Sequence, residues 1–203
     1  GGGAAIRWQD APIYLEEPEH ETSGHRYLYH PVYGWKNIPN WSFTTHGKNL
    51  NINSRGLRDP ERSLKKPTDT KRILVLGDSF VWGFGVDDDE IFTRELEQRL
   101  ASRPRPWEVI NTGVSGWGND QQLLFLIEEG LAYEPDIVVL SFFFINDPIN
   151  NSEAVQYGFN KPVFLNHQLE LGNIPVPKPG EKPAELKLPE SPWEITLAIM
   201  KGM

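Results

Sequence analysis

The sequence predicts an α/β fold in which a parallel sheet carries helices on its faces. Three observations carry that prediction. From Lys71 onward the chain alternates strand, helix, strand, helix, strand. The strand segments are apolar on both faces, as strands buried within parallel sheets are. The residues best suited to chemistry, Ser79, Gly113–Asn119 and Asn146, each follow the C-terminal end of a strand, where open α/β sheets place their sites.

Taken in order, residues 6–70 form an aromatic-rich arm, with Tyr27, Tyr29, Tyr33, Trp35, Trp41 and Phe43 broken by Gly34, Pro39-Asn40 and Gly47-Lys48. No 3.6-residue stripe is sustained there, so short strands or extended segments are expected, their aromatics packing the arm onto the rest of the chain. Asn53-Ser54-Arg55-Gly56 is a turn and Ser63–Thr70 a polar linker. Arg72-Ile73-Leu74-Val75-Leu76 reads as a buried parallel strand stopped by Gly77-Asp78-Ser79. A helix is expected over Ile91–Leu100, with Phe92, Leu96 and Leu100 on one face. Trp107–Asn111 is a second strand, cut off by Thr112–Gly118. A second helix is expected over Asp120–Leu131, its buried stripe formed by Leu123, Ile127 and Leu131 and its last turn weakened by Gly130. Asp136–Phe144 is the third strand, ending at Asn146-Asp147-Pro148.

The prolines at 175, 177, 179, 183, 189 and 192 make Ile174–Pro192 an ordered extended loop or a mobile lid. Ser191-Pro192-Trp193-Glu194 then carries the pattern of a capping box opening a further helix. The expected organisation is an arm over 1–70, an α/β core over 71–150, and a lid or insertion with the start of a helix over 151–203. Three strands make a thin parallel sheet. The core is therefore expected to be the front portion of a longer domain, incomplete at its C-terminus.

Composition narrows the function. A chain of 203 residues suffices for one well-cored domain with a short appendage. Its 20 Lys+Arg against 28 Asp+Glu leave a net charge of -8, which argues against a duplex nucleic-acid partner. The basic cluster Lys65-Lys66 with Lys71-Arg72 is small. With 38% hydrophobic and 24% charged residues the chain is neither disordered nor a membrane protein, and no apolar run reaches the length of a transmembrane segment. The absence of cysteine removes disulfides, thiolate metal sites and cysteine nucleophiles. It is compatible with a cytoplasmic or a periplasmic setting alike.

Ser79 is the leading candidate for chemistry. A serine at a strand-to-helix turn can expose its hydroxyl while its own N–H points to where negative charge develops; a plain helix cap is the alternative. Gly116, within Gly113-Val114-Ser115-Gly116-Trp117-Gly118, is suited to presenting a backbone N–H, or to a tight β–α turn alone. Asn146 offers a side-chain NH₂ or a turn cap. A hydroxyl, a glycine amide and a side-chain amide at three successive strand ends are what acyl transfer needs, because a tetrahedral oxyanion must meet preorganised donors. Trp82 and Trp117 come soon after the first two blocks and are candidates to line a cleft, with core packing the alternative. Asp87-Asp88-Asp89-Glu90 lacks the alternating ligand positions of a calcium loop and reads as an acidic helix lead-in. Gly83-Phe84-Gly85 matches no phosphate-cradling loop.

Gly77-Asp78-Ser79-Phe80, the Asn111–Gln121 stretch and Phe144-Ile145-Asn146-Asp147 resemble the first three blocks of the SGNH (GDSL-type) hydrolase family. The lead-in Asn53–Glu61 is similar to that of bacterial members. The resemblance spans about residues 50–150. It implies a three-layer, flavodoxin-like sandwich and a serine esterase working through an acyl-enzyme, with no metal or organic cofactor. Ser79 would be the nucleophile, and the Ser79 N–H, the Gly116 N–H and the Asn146 side chain the oxyanion hole. Asp78 would be structural, with Asp147 beside the asparagine as a supporting residue. The expected substrate is a small-molecule or saccharide ester, such as O-acetyl or other O-acyl groups on a carbohydrate.

Two departures stand out. Phe144 replaces the glycine that usually precedes the block-three asparagine by two residues, so the pocket is expected to be more apolar. The family's C-terminal Asp-x-x-His is missing: His20, His25, His30, His46 and His167 all lie outside such a frame. Without a base the serine hydroxyl is poorly activated. A base beyond Met203, a substitute such as His46 or His167, and a degenerate member that binds without turnover all remain open. The alternative functions are thus a noncatalytic carbohydrate-binding or assembly module and an O-acyltransferase.

Overall fold

The computed structural model describes residues 12–16, 26–45, 47–189 and 191–203. Strands β1 (Tyr14–Glu16), β2 (Arg26–His30) and β3 (Gly34–Asn37) form an antiparallel sheet in that order. β4 (Ser42–Thr45) and β5 (Lys48–Asn51) form a separate hairpin, with Phe43 opposite Leu50. The described part of the arm is thus extended, as its lack of helical periodicity predicts.

The parallel sheet comes next. β6 (Lys71–Leu76) leads through α1 (Ser79–Trp82) and α2 (Phe92–Leu100) to β7 (Trp107–Asn111). The chain then runs through α3 (Asn119–Glu128) and a 3₁₀ turn over Gly130–Tyr133 into β8 (Ile137–Leu140). The order is β7-β6-β8, all parallel, with Val75 of the central strand opposite both Asn111 and Val139. Side-chain alternation along β6 sorts its residues into two layers. Ile73 and Val75 face a cluster with Val81 and Val109, against which Leu96, Leu100 and Trp107 pack. Leu74 and Leu76 face the larger cluster, which joins α3 to Tyr27, Tyr33 and Trp35 of the arm.

After β8, α4 (Asp147–Asn150) precedes two short hairpins, β9 (Val155–Gln156) with β10 (Phe159–Asn160) and β11 (Val163–Phe164) with β12 (Leu171–Gly172). The chain closes with α5 (Pro192–Gly202), whose Ile195 and Ile199 enter the same large core. Among the described residues no helix is long and apolar enough to cross a membrane.

Four expectations need correcting. The third strand stops at Leu140, and Phe142–Phe144 leave the sheet because Phe143 turns back to bond Asp147. β8 is also less buried than a core strand: Ile137 and Val139 are 43% and 40% exposed, with β6 its one strand partner among the described residues. The buried face of α3 is Leu123–Leu126; Ile127 and Leu131 are exposed, because the helix ends at Glu128 and the chain tightens into the 3₁₀ turn. Ser191 precedes α5 without a side-chain capping bond, and Glu194 instead faces His167 at 3.4 Å.

The proline-rich segment is fastened to the arm. Val176 is buried and its N–H donates to the Pro31 carbonyl, while the Tyr29 hydroxyl donates to the Val176 carbonyl. The Asn160 side chain donates to the carbonyls of Pro177, Lys178 and Glu181.

Candidate active site

Ser79 is the first residue of α1, directly after the central strand. Gly77 permits this turn: a Cβ there would lie 2.2 Å from Val81 Cγ2. Asp78 caps the helix, its Oδ1 accepting the Phe80 N–H at 3.0 Å. Its Oδ2 accepts from Asn146 Nδ2 at 3.2 Å, so Asp78 holds the first and third blocks together. Asn146 itself sits at the start of α4. Its Nδ2 carries two N–H groups, of which the bond to Asp78 uses one.

The loop after β7 lies along the first block. Thr112 donates from both its N–H and its hydroxyl to the Val75 carbonyl, and the Val114 N–H donates to Gly77. The Asn111 side chain donates to the Val81 carbonyl at 2.7 Å and accepts the Gly113 N–H at 2.9 Å. Gly113 leaves no room for a side chain, since a Cβ would sit 2.3 Å from the Trp82 nitrogen. Gly116 has φ +78, a left-handed conformation that favours glycine. It lies beneath Tyr157, whose ring would meet an added Cβ at 2.8 Å. Among the described residues neither the Ser79 nor the Gly116 N–H has an acceptor.

Trp82 and Trp117 are each 1% exposed and belong to the core instead of a cleft. The Trp82 ring carries the Arg58 guanidinium 4.9 Å from its centroid. Trp117 packs on Tyr33 and Phe125 and donates to the Trp35 carbonyl. Asp147 is buried, its Oδ2 accepting from Asn119 Nδ2 and the Phe143 N–H. Burial raises its pKa to about 6 against the pull of those two bonds.

Neither His30 nor His167 touches Ser79. The His30 ring stacks on Tyr33 and its Nδ1 accepts the Val32 and Tyr33 amides; burial lowers its pKa to about 3, so it stays neutral. His167 is exposed beside Glu194. His46, like His20 and His25, lies outside the described residues.

Two features escaped the sequence reading. One is Tyr157 over Gly116, brought there by the β9–β10 hairpin from far along the chain, with no local signal. The other is an open pocket of about 330 Å³ beside Ser79, lined by Phe80, Gly83, Phe84, Val86, Glu90, Ile91 and Phe92. The run Phe80-Val81-Trp82-Gly83-Phe84 was its visible sign. The acidic run is likewise no simple helix lead-in. Asp87 and Glu90 pair with Lys48, and Asp88 pairs with Arg58.

Residues 75–160 match the model of the GDSL-like lipase/acylhydrolase family. No curated protein matches the chain. The matched stretch takes in the turn at Ser79, the loop at Gly116 and the start of α4 at Asn146, and the parallel sheet with its helices agrees with that fold. Over this α/β core the chain is similar to the SGNH, or GDSL-type, hydrolase family, whose general activity is hydrolysis of ester bonds.

Proposed function

We propose that the protein is a serine esterase in which Ser79 is the nucleophile. The observation that carries this reading is the position of Ser79, at the first turn after the central strand and in the lining of an open pocket. Ser79 Oγ bonds to the carbonyl carbon of a carboxylic ester while its proton passes to a base outside the described residues. The tetrahedral oxyanion is met by the Ser79 and Gly116 N–H groups and the free N–H of Asn146 Nδ2. Collapse breaks the bond to the alcohol, which leaves with a proton. Water then attacks the acyl-Ser79 ester, releasing the carboxylic acid and restoring the serine. Asp78 acts by positioning, since it orients Asn146 and caps α1.

The test is covalent capture together with turnover. A fluorophosphonate is expected to label the protein on Ser79, and p-nitrophenyl butyrate to be hydrolysed. Ser79→Ala is expected to abolish labelling and lower kcat/KM by about 10³-fold or more. Equal turnover by the alanine variant would overturn the assignment. No histidine among the described residues contacts Ser79, and that favours one second reading, a module that binds without turning over. It predicts neither label nor hydrolysis, with saccharide binding indifferent to Ser79→Ala. On the alcohol side the proposed substrate is an O-acylated saccharide. Adding free sugar separates hydrolysis from acyl transfer, because a transferase forms sugar ester at the expense of free acid.

A further inference from the structure

The pocket beside Ser79 is built from aromatic side chains that are not core residues. Phe80, Phe84 and Phe92 are 62%, 55% and 45% exposed, while Ile91 beneath them is buried. Phe80 also packs on Phe143, ring centroids 4.7 Å apart, so the apolar surface continues past the serine. A folded chain leaves three large rings around one concavity where they have something to bind.

Most polar groups around this pocket are already engaged. Arg58 is buried, and its guanidinium donates to the carbonyls of Trp82, Gly83 and Val86 at 3.3, 2.6 and 2.7 Å. The Ser79 carbonyl accepts the Gly83 and Phe84 N–H groups, and the Val86 N–H donates to Gly83. Glu90, the one ionisable side chain of the lining, has its Oε2 bonded to Lys48 Nζ and to the Asp87 N–H. Of the lining side chains, the Ser79 hydroxyl and Glu90 Oε1 are left to meet a polar ligand group. A sugar ring here would lose its bonds to water and gain few in return; a hydrocarbon chain would lose nothing.

We propose that this pocket holds the acyl chain of the substrate, and that the chain is an unbranched hydrocarbon rather than acetyl. The inference deepens the esterase reading and rests on it for the reaction, though not for the binding. At about 330 Å³ the pocket is at the small end for ligand sites, which fits a chain of about six to ten carbons. Phe84 and Phe92 form its walls and set chain-length preference. Any saccharide belongs to the alcohol side of the ester, away from this surface.

The experiment is a series of p-nitrophenyl esters from acetyl to dodecanoyl, with octanoate and acetate binding measured by calorimetry on the same protein. kcat/KM is expected to rise about fourfold per methylene until the pocket is filled, making octanoyl at least about 100-fold better than acetyl. Phe84→Ser and Phe92→Ser are expected to collapse that ratio, and Leu197→Ser, on the exposed face of α5, to preserve it. If no ester is turned over, the esterase reading fails; tight octanoate binding weakened by Phe84→Ser or Phe92→Ser would still uphold the pocket. Turnover that is flat with chain length or best for acetyl would overturn the pocket and leave the esterase standing. Octanoate binding that is absent, or indifferent to both substitutions, would overturn it as well.

Discussion

Asp147, next to Asn146 in the chain, is buried with one carboxyl oxygen doubly bonded and the other, Oδ1, without a partner among the described residues. Desolvation dominates, with the charges of Asp78 and Asp120 adding to it, so the pKa rises from 3.8 to about 6. The folded protein therefore holds this proton more tightly than the unfolded chain does. Ionising the carboxyl weakens the fold progressively from about pH 4 to 6, and the full penalty is present above that window. Asp147→Asn removes the titration. Its stability relative to the parent is expected to improve by about 1–3 kcal/mol between pH 4 and 7, superimposed on any constant cost of the substitution. Urea denaturation at several pH values checks this. A difference independent of pH would mean that Asp147 titrates normally.

At the scale of elements, the segment from α1 to α2 is held mainly by Arg58. It reaches from the arm to collect three carbonyls, pairs through Nε with Asp88 at 2.8 Å and lies over Trp82. A planar fork suits this arrangement, whereas an ammonium group would satisfy one or two of these acceptors. Arg58→Lys is accordingly expected to destabilise the protein by about 2–4 kcal/mol, read from the denaturation midpoint. A loss under about 0.5 kcal/mol would show that water replaces the guanidinium at no cost. A second tie of this kind is Lys161. Buried, it pairs with Asp120 and donates to the carbonyls of Asn150, Glu153 and Pro162, joining the start of α3 to the segment after α4.

Across the whole molecule, the arm and the α/β unit share one core. Tyr27, Tyr33 and Trp35 lie in the same apolar cluster as Leu74, Ile110 and Ile199. Among the described residues the sheet is asymmetric, because β6 has a neighbour on both sides and β8 on one. Val75 and Val139, directly paired across β6 and β8, therefore differ in exposure, at 1% and 40%. Val139→Lys is expected to change stability by no more than about 0.5 kcal/mol, as surface substitutions do, whereas Val75→Lys should prevent folding or cost several kcal/mol. Equal sensitivity at the two positions, measured by thermal unfolding, would refute the edge assignment.

The sequence by itself determined the strand–helix alternation, the buried strand over Arg72–Leu76 and the three turns that carry Ser79, Gly116 and Asn146. Each of these is written locally, in an apolar run, a glycine that must take an unusual conformation, or a polar residue at a strand end. Their mutual placement was legible only through the family resemblance, since spacing along the chain does not put Asn146 against Asp78. The tertiary structure alone decided which apolar residues are buried. Ile127, Leu131 and Val139 have core composition but stand exposed, because burial depends on which elements arrive from elsewhere in the chain. It also decided what Trp82 and Trp117 do: both became core when the arm brought Arg58 and Trp35 against them. The pocket at Ser79 has the same origin. Its phenylalanines are visible in the sequence, but its apolar character depends on Arg58 and Lys48, which occupy the polar groups of the loop from residues distant in the chain.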